Sequence, residues 1–402
     1  MDCRWVNPKR PMTSLKIAEV FAGIGGVTGG FLDAGGYESV FLSDIDHLAR
    51  STFVLNFPGL ADCYSVGRVE RLTGPGLLRL ASDNPDGLVG CPPCEGLSPA
   101  GLRDADDERN QLLRQMHRLV ASIRPKFFVL ENVPSLLQTN LYRDFVGSLS
   151  PRYALHGEVL NAAEYGIPQL RRRAVVLGIR KDLEVQPTLP PPTHGGRGKV
   201  YDYYTLDYTF PRTAAGKNAL DLRPSVRLPR RPLVTLGAAL DDLPAALDPD
   251  EEGTDYAGPP RTAFQRRARR GSRSLTHHRA WNHRDDIVAF LALVAPGQCP
   301  PGLGSRGRNT SYFSQAYARL HRNGLARTIT KNFHNPGSGR FTHYAAPRTL
   351  TIREALRVQG FPDTFQFTDD TTASAAERLV GNAFPRPLAR ALARHIRHLL
   401  AA

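Results

Sequence analysis

With 402 residues and 41% hydrophobic content, the chain can bury at least one full core, and its length favours two domains over one. Lys and Arg outnumber Asp and Glu by 52 to 38, a net charge of +14 that points to an anionic macromolecule, nucleic acid first, although biased genomes also produce arginine-rich chains. The 5 cysteines have no regular spacing, no apolar run reaches the ~18 residues of a membrane span, and the first residues lack the apolar stretch of a secretory signal; a disulfide framework and a membrane role are excluded, and a reducing cytoplasm is expected.

After a tail of residues 1–14, apolar runs alternate with helical stretches from 15 to 182, the pattern of a parallel sheet covered by helices on both faces. Residues 17–21 read as a buried first strand, 29–34 as part of a helix and 39–42 as a second strand. Three more strands are expected at 87–89, 126–130 and 173–178. Each chemical motif then sits at a strand's carboxyl end, where open α/β sheets place their ligands.

The turn Phe21-Ala22-Gly23-Ile24-Gly25-Gly26 closes the first strand, and its glycines permit a tight bend and close approach by a ligand. It departs from the dinucleotide fingerprint at the last glycine, so a tight turn without a ligand is the alternative. Asp44, at the end of the second strand, stands where carboxylates bind ribose hydroxyls. Cys94 follows two prolines that stiffen its loop; as a nucleophile it would need positive charge or a proton acceptor nearby. Cys91 and Cys94 also form a CxxC pair, but no second Cys or His pair has ligand spacing, and Pro92-Pro93 is unusual for a redox motif. Glu131 ends a strand and would point into the same cleft, able in a desolvated pocket to hold a proton on a ring nitrogen; capping of the following helix is the alternative.

Composition changes after Lys181: residues 187–192 are proline-dense, and 183–325 lacks a strand-helix rhythm. A basic run at 266–273 lies near an acidic one at 248–255, and regular patterning resumes near Arg327, ending in a helix pair over 375–400 broken at 381–387. The middle is therefore expected to be a smaller domain inserted into the larger one.

These residues, taken in order, resemble the DNA cytosine-5 methyltransferases that depend on S-adenosylmethionine. Phe21 to Gly26 match the family's cofactor turn, Pro92-Pro93-Cys94-Glu95-Gly96-Leu97-Ser98 its catalytic loop, and Glu131-Asn132-Val133 its base-holding strand end. Tyr165-Gly166-Ile167-Pro168-Gln169-Leu170-Arg171-Arg172-Arg173 resembles its Gln-x-Arg-x-Arg segment; residues 348–362 and Gly381-Asn382-Ala383-Phe384-Pro385 match its last two blocks. The resemblance implies a doubly wound, Rossmann-like methyltransferase domain formed by 15–182 and 326–402, with 183–325 as the target-recognition domain.

It also implies roles. Cys94 would add to carbon 6 of a flipped-out cytosine, Glu131 would hold the ring-nitrogen proton, and Arg171 and Arg173 would contact the pocket and stabilise developing charge. S-adenosylmethionine, leaving as S-adenosylhomocysteine, would lie against Phe21, Ala22, Gly23, Gly25, Gly26, Asp44, Ile45, Val69, Pro92, Asn382 and Ala383. Duplex DNA would meet Ser98, Gln169, Arg266 and Arg270. No metal is expected: the histidines near Trp281 (His277, His278 and His283) resemble a stretch the family carries without metal chemistry. A monomer associated with the nucleoid, either working beside a cognate restriction endonuclease or acting as an orphan, completes the expectation.

Four positions depart from the family pattern: Glu95 replaces a usual Gln, Leu97 and Ile45 replace aromatic residues, and Arg68 stands where an acidic residue commonly faces the adenine ring. They leave a catalytically quiet DNA-binding homologue as one alternative, and an RNA cytosine-5 methyltransferase as another. A nicotinamide-dependent oxidoreductase shares the fold class but has no use for Cys94, Glu131 and Gln169 together.

Overall fold

The computed structural model describes residues 14–93, 111–195, 231–246, 255–300 and 315–401. Its centre is a seven-stranded sheet made by β1 (Leu15–Val20), β2 (Tyr37–Asp44), β3 (Tyr64–Val66), β4 (Gly87–Gly90), β5 (Phe127–Asn132), β6 (Tyr153–Asn161) and β8 (Arg172–Arg180). The order across the sheet is β3-β2-β1-β4-β5-β8-β6. β1 to β5 pair in parallel, whereas β8 runs antiparallel to both β5 and β6. The expectation of an all-parallel sheet is corrected there: the connection from Asn161 to Arg172 is too short for a helical crossover and returns the chain in the opposite direction.

Alternation along the strands feeds two cores. Ile17, Val89, Phe127, Val129, Val175 and Leu177 belong to one apolar cluster; Ala18, Val20, Leu88, Phe128, Leu130 and Val176 belong to the other. Helices α1 (Gly26–Ala34) and α11 (Arg386–Ala401) supply Val27, Phe31, Leu388 and Leu392 to the first. Helices α4 (Gln111–Ile123) and α5 (Asn140–Leu149) supply Met116, Leu119, Phe145 and Leu149 to the second. Helices α2 (His47–Asn56) and α3 (Gly74–Leu80) complete the N-terminal part.

The middle segment contributes α6 (Leu236–Leu240), α7 (Ala263–Ala268) and α8 (Asp285–Ala292), and the return to the large domain brings α9 (Ile352–Val358) and α10 (Ala373–Asn382). The described part of the middle does not pack apart from the rest. Leu236, Leu240, Phe264 and Leu275 lie in the same apolar cluster as Leu356, Phe361 and the first sheet face. Arg357, fully buried on α9, bonds Asp242 at 2.5 Å and Asp363 at 2.6 Å, fixing α6 and α9 through charges that water does not reach. A two-residue parallel pair, β7 (Gln169–Leu170) with β9 (Ala326–Arg327), ties the segment before β8 to the chain returning from the middle.

Candidate active site

The end of β1 is held in a conformation that few sequences tolerate: Phe21, Gly23 and Gly25 have φ of 59°, 54° and 86°. Asp44 fixes the turn from the end of β2. Its carboxylate accepts from Gly23 N at 2.9 Å and from Asp46 N at 3.0 Å, while Ala22 N bonds Ser43 O at 3.0 Å. Tyr64 on β3 donates its hydroxyl to Gly23 O at 2.9 Å. Burial raises the Asp44 carboxyl above its ordinary value, an effect that the bonds from Asp46 and Gly23 partly offset. Beneath the turn, Glu19 is 1% exposed and accepts from Thr28 Oγ1 at 2.8 Å; burial pushes its carboxyl up to about 8.

The segment after α10 forms a second wall. A Cβ on Gly26 would come within 2.2 Å of Phe384 O, so the glycine turn and residues 382–385 are in backbone contact. Asn382 is exposed beside this contact and Ala383 is buried. Ile45, 58% exposed, flanks Asp44. Pro92 is buried, and Val69 sits inside the second apolar cluster, so it can shape a pocket from behind more readily than line it. Arg68, where an acidic residue was expected, pairs with Glu70 at 3.1 Å on the surface. A Cβ on Gly23 would meet nothing within 4 Å, which leaves the turn open to a ligand. Open backbone, a carboxylate and an exposed aliphatic side chain suit the ribose and base of a nucleoside cofactor.

Beside the turn, β5 ends in Glu131 and Asn132. Arg173, at the start of β8, places Nε 2.7 Å from Glu131 Oε1, with the side chains 15% and 12% exposed. Asn132 Nδ2 donates to Pro92 O at 3.2 Å, tying the end of β5 to the loop after β4. Glu131, Arg173, Gly23 and Asp44 therefore lie at the carboxyl edge of the parallel strands. Cys94, Ser98, Glu95 and Leu97 lie outside the described residues.

Two expected site residues do other work. Gln169 is fully buried: Ile329 N donates to its Oε1 at 3.0 Å, and its Nε2 donates to Val358 O at 3.2 Å and Gln359 Oε1 at 3.1 Å. With its amide spent inside the protein, it has no path to a DNA base. Arg171, 3% exposed, donates to Ile329 O at 3.1 Å and Gly381 O at 3.3 Å. These bonds clamp the end of α10 to the returning chain. Arg266 and Arg270 are exposed on and just after α7.

The histidines serve packing. His278 Nδ1 is 3.0 Å from Thr351 Oγ1 and Nε2 is 3.1 Å from Pro244 O; His283 Nε2 is 3.0 Å from Thr349 Oγ1; His277 Nε2 accepts from Phe367 N at 3.2 Å. Glu19 is the site residue that sequence reasoning missed, although a lone acid inside an otherwise apolar strand was a signal.

A family model described as C-5 cytosine-specific DNA methylase matches residues 15–398. Type II methyltransferase M.DdeI of Desulfomicrobium norvegicum is 31% identical over 410 residues, covering 95% of this chain and 88% of the relative. Type II methyltransferase M.XorII of Xanthomonas oryzae is 32% identical over 392 residues, with 93% and 82% covered. Among solved structures, an E. coli prophage protein described as a DNA modification methyltransferase is similar with a TM-score of 0.73 at 23% identity, over 97% of this chain and 100% of that one. The S. pombe Dnmt2 methyltransferase follows at 0.56 and 13%, over 96% and 98%. The structural likenesses speak for the fold, and the family match speaks for descent.

Proposed function

Since the chain belongs to the C-5 cytosine-specific DNA methylase family and methylates cytosine in DNA, we propose that Cys94, Glu131 and Arg173 carry the chemistry beside a cofactor site at the glycine turn. The observation that carries this reading is the Glu131–Arg173 pair at 2.7 Å, on adjacent strand ends beside an open glycine turn.

Carbon 5 of cytosine is a poor nucleophile. Addition of the Cys94 thiolate to carbon 6 forms an S–C bond and makes carbon 5 electron-rich. Glu131 holds the proton on the ring nitrogen that offsets the charge developing in the ring, and Arg173 keeps the carboxyl oriented. S-adenosylmethionine, when bound, supplies the sulfonium methyl that carbon 5 takes. Gly23, Asp44, Ile45 and Asn382 would hold it, through open backbone, carboxylate, apolar contact and amide respectively. Loss of the carbon 5 proton then expels the thiolate and restores the ring.

The target base must leave the duplex to reach this edge, at a cost of a few kcal/mol that phosphate contacts to the basic surface offset. Arg266 and Arg270, both exposed, would make such contacts from the middle segment, which we read as the target-recognition region. The type II naming of the relatives supports a partner restriction endonuclease that cuts the same sequence.

Methyl transfer from tritiated cofactor to duplex DNA tests the assignment. Cys94→Ala should abolish transfer while binding of DNA and cofactor persists, and Glu131→Gln should slow single-turnover transfer by roughly 10²- to 10⁴-fold. Turnover retained by Cys94→Ala, or an unchanged rate in Glu131→Gln, overturns the corresponding role.

A further inference from the structure

Strand register decides what stands beside Glu131. β4 and β5 run parallel with Gly90 opposite Leu130, so the next residues of the two chains, Cys91 and Glu131, face one another. Side chains alternate along a strand, which puts both on the face of Val89 and Val129. Cys91 packs against the apolar cluster that contains those two valines. The strand ends stay together past the ladder because Asn132 Nδ2 bonds Pro92 O at 3.2 Å. On the other side of Glu131, Arg173 reaches Oε1 from β8. The carboxyl thus lies between a guanidinium and a thiol.

Burial, then the negative charges of Glu131 and Glu19, raise the Cys91 thiol well above its ordinary value. At neutral pH it is therefore S–H, a weak donor and not a second nucleophile. We propose that Cys91 is a positioning residue for the methyl transfer: its thiol donates to the Glu131 carboxyl and, opposite Arg173, fixes the orientation in which that carboxyl meets the target base. The inference rests on the role given to Glu131 above. A weak neutral donor suits the task, since it sets direction without tying up the carboxyl as a second cation would. The competing account is that Cys91 is only a small apolar side chain filling the sheet face.

Substitutions at one position separate the two accounts. Cys91→Ala keeps the apolar character and removes the donor; Cys91→Val also has no donor but fills the volume; Cys91→Ser restores a donor. The expected result is a single-turnover rate roughly threefold to tenfold lower in Cys91→Ala and Cys91→Val, the loss of one neutral hydrogen bond. KM for DNA and cofactor should stay within about twofold, and Cys91→Ser should recover most of the rate. In a Glu131→Gln background, Cys91→Ala should add little, because the two act as one unit.

A wild-type rate in Cys91→Ala, a Cys91→Ser variant no faster than Cys91→Ala, or a fully additive loss in the double variant each overturns the proposal. Thermal midpoints of the single variants, read alongside, identify any loss of folded protein. An unchanged rate in Glu131→Gln alone points elsewhere: it removes the role of Glu131 itself, whereas a slow Glu131→Gln beside an unaffected Cys91→Ala removes only the positioning.

Discussion

Replacing Glu19 with glutamine should free the protein of a stability loss that the wild type suffers as pH rises. The carboxyl is 1% exposed under the glycine turn, and burial moves it from 4.5 to about 8. Between those values the folded chain keeps a proton that the unfolded chain has lost, so wild-type stability falls with rising pH, by about 1.4 kcal/mol per unit. The contribution is fully present below the unfolded value and gone above the folded one. Measured from about pH 5.5 to about pH 8.5, some 2.5 units of that window are crossed, and the loss attributable to this group is about 3 kcal/mol. Glutamine has nearly the same shape and no titration. Urea unfolding of both proteins at the two pH values is the assay, and the stability difference, Glu19→Gln minus wild type, should grow by about 3 kcal/mol across the range. Parallel stability curves would refute the reasoning. A companion change checks the cause: the Thr28 bond holds the Glu19 carboxyl down, so Thr28→Val should push its titration still higher.

The glycine turn makes a paired prediction. Gly26→Ala drives a methyl group to within 2.2 Å of Phe384 O and should cost about 2–3 kcal/mol or more while weakening cofactor binding, whereas Gly23→Ala meets open space and should cost only about 1–2 kcal/mol for its left-handed backbone; thermal unfolding and cofactor titration rank them, and equal effects would contradict the contact. Gln169→Leu should act on folding and not on base recognition. It strands Ile329 N and Val358 O in a dry interior, at about 1–3 kcal/mol each, yet folded protein should methylate the same sequence; bisulfite sequencing that shows relaxed specificity with unchanged stability would return Gln169 to the DNA.

The buried parallel strands were legible because a strand covered on both faces is a continuous apolar run, as in Phe127 to Leu130 with both clusters fed by alternate residues. β3 is only three residues long, and β6 is an edge strand whose middle is half-buried, so neither carries that signal. The reversal of β8 is a matter of connection length, invisible to hydropathy. The Gln-x-Arg-x-Arg segment shows the harder limit. Period-two spacing suggests that Gln169, Arg171 and Arg173 share one face, but the chain bends between β7 and β8, with Arg171 N bonded to Gln169 O at 3.1 Å. The first two therefore bond Ile329, on the returning segment some 160 residues later in sequence, and the third turns to Glu131. No local pattern encodes a partner that far along the chain. Cys91 was read with Cys94, its neighbour in sequence, whereas register gives it Glu131 as its neighbour in space.

Register also explains why the site can hold several ionisable groups side by side. β1 and β4 pair with Glu19 opposite Val89, so Glu19, Cys91, Glu131 and Arg173 lie along one face of four adjacent strands. At neutral pH the first two are uncharged, because burial raises both, and the Glu131–Arg173 ion pair stands at the far end. That division matches the work at each end. An uncharged floor under the glycine turn leaves Asp44 as the acidic group bonded to the turn's backbone, while the Glu131–Arg173 pair stands where the proposed proton chemistry on a base would take place.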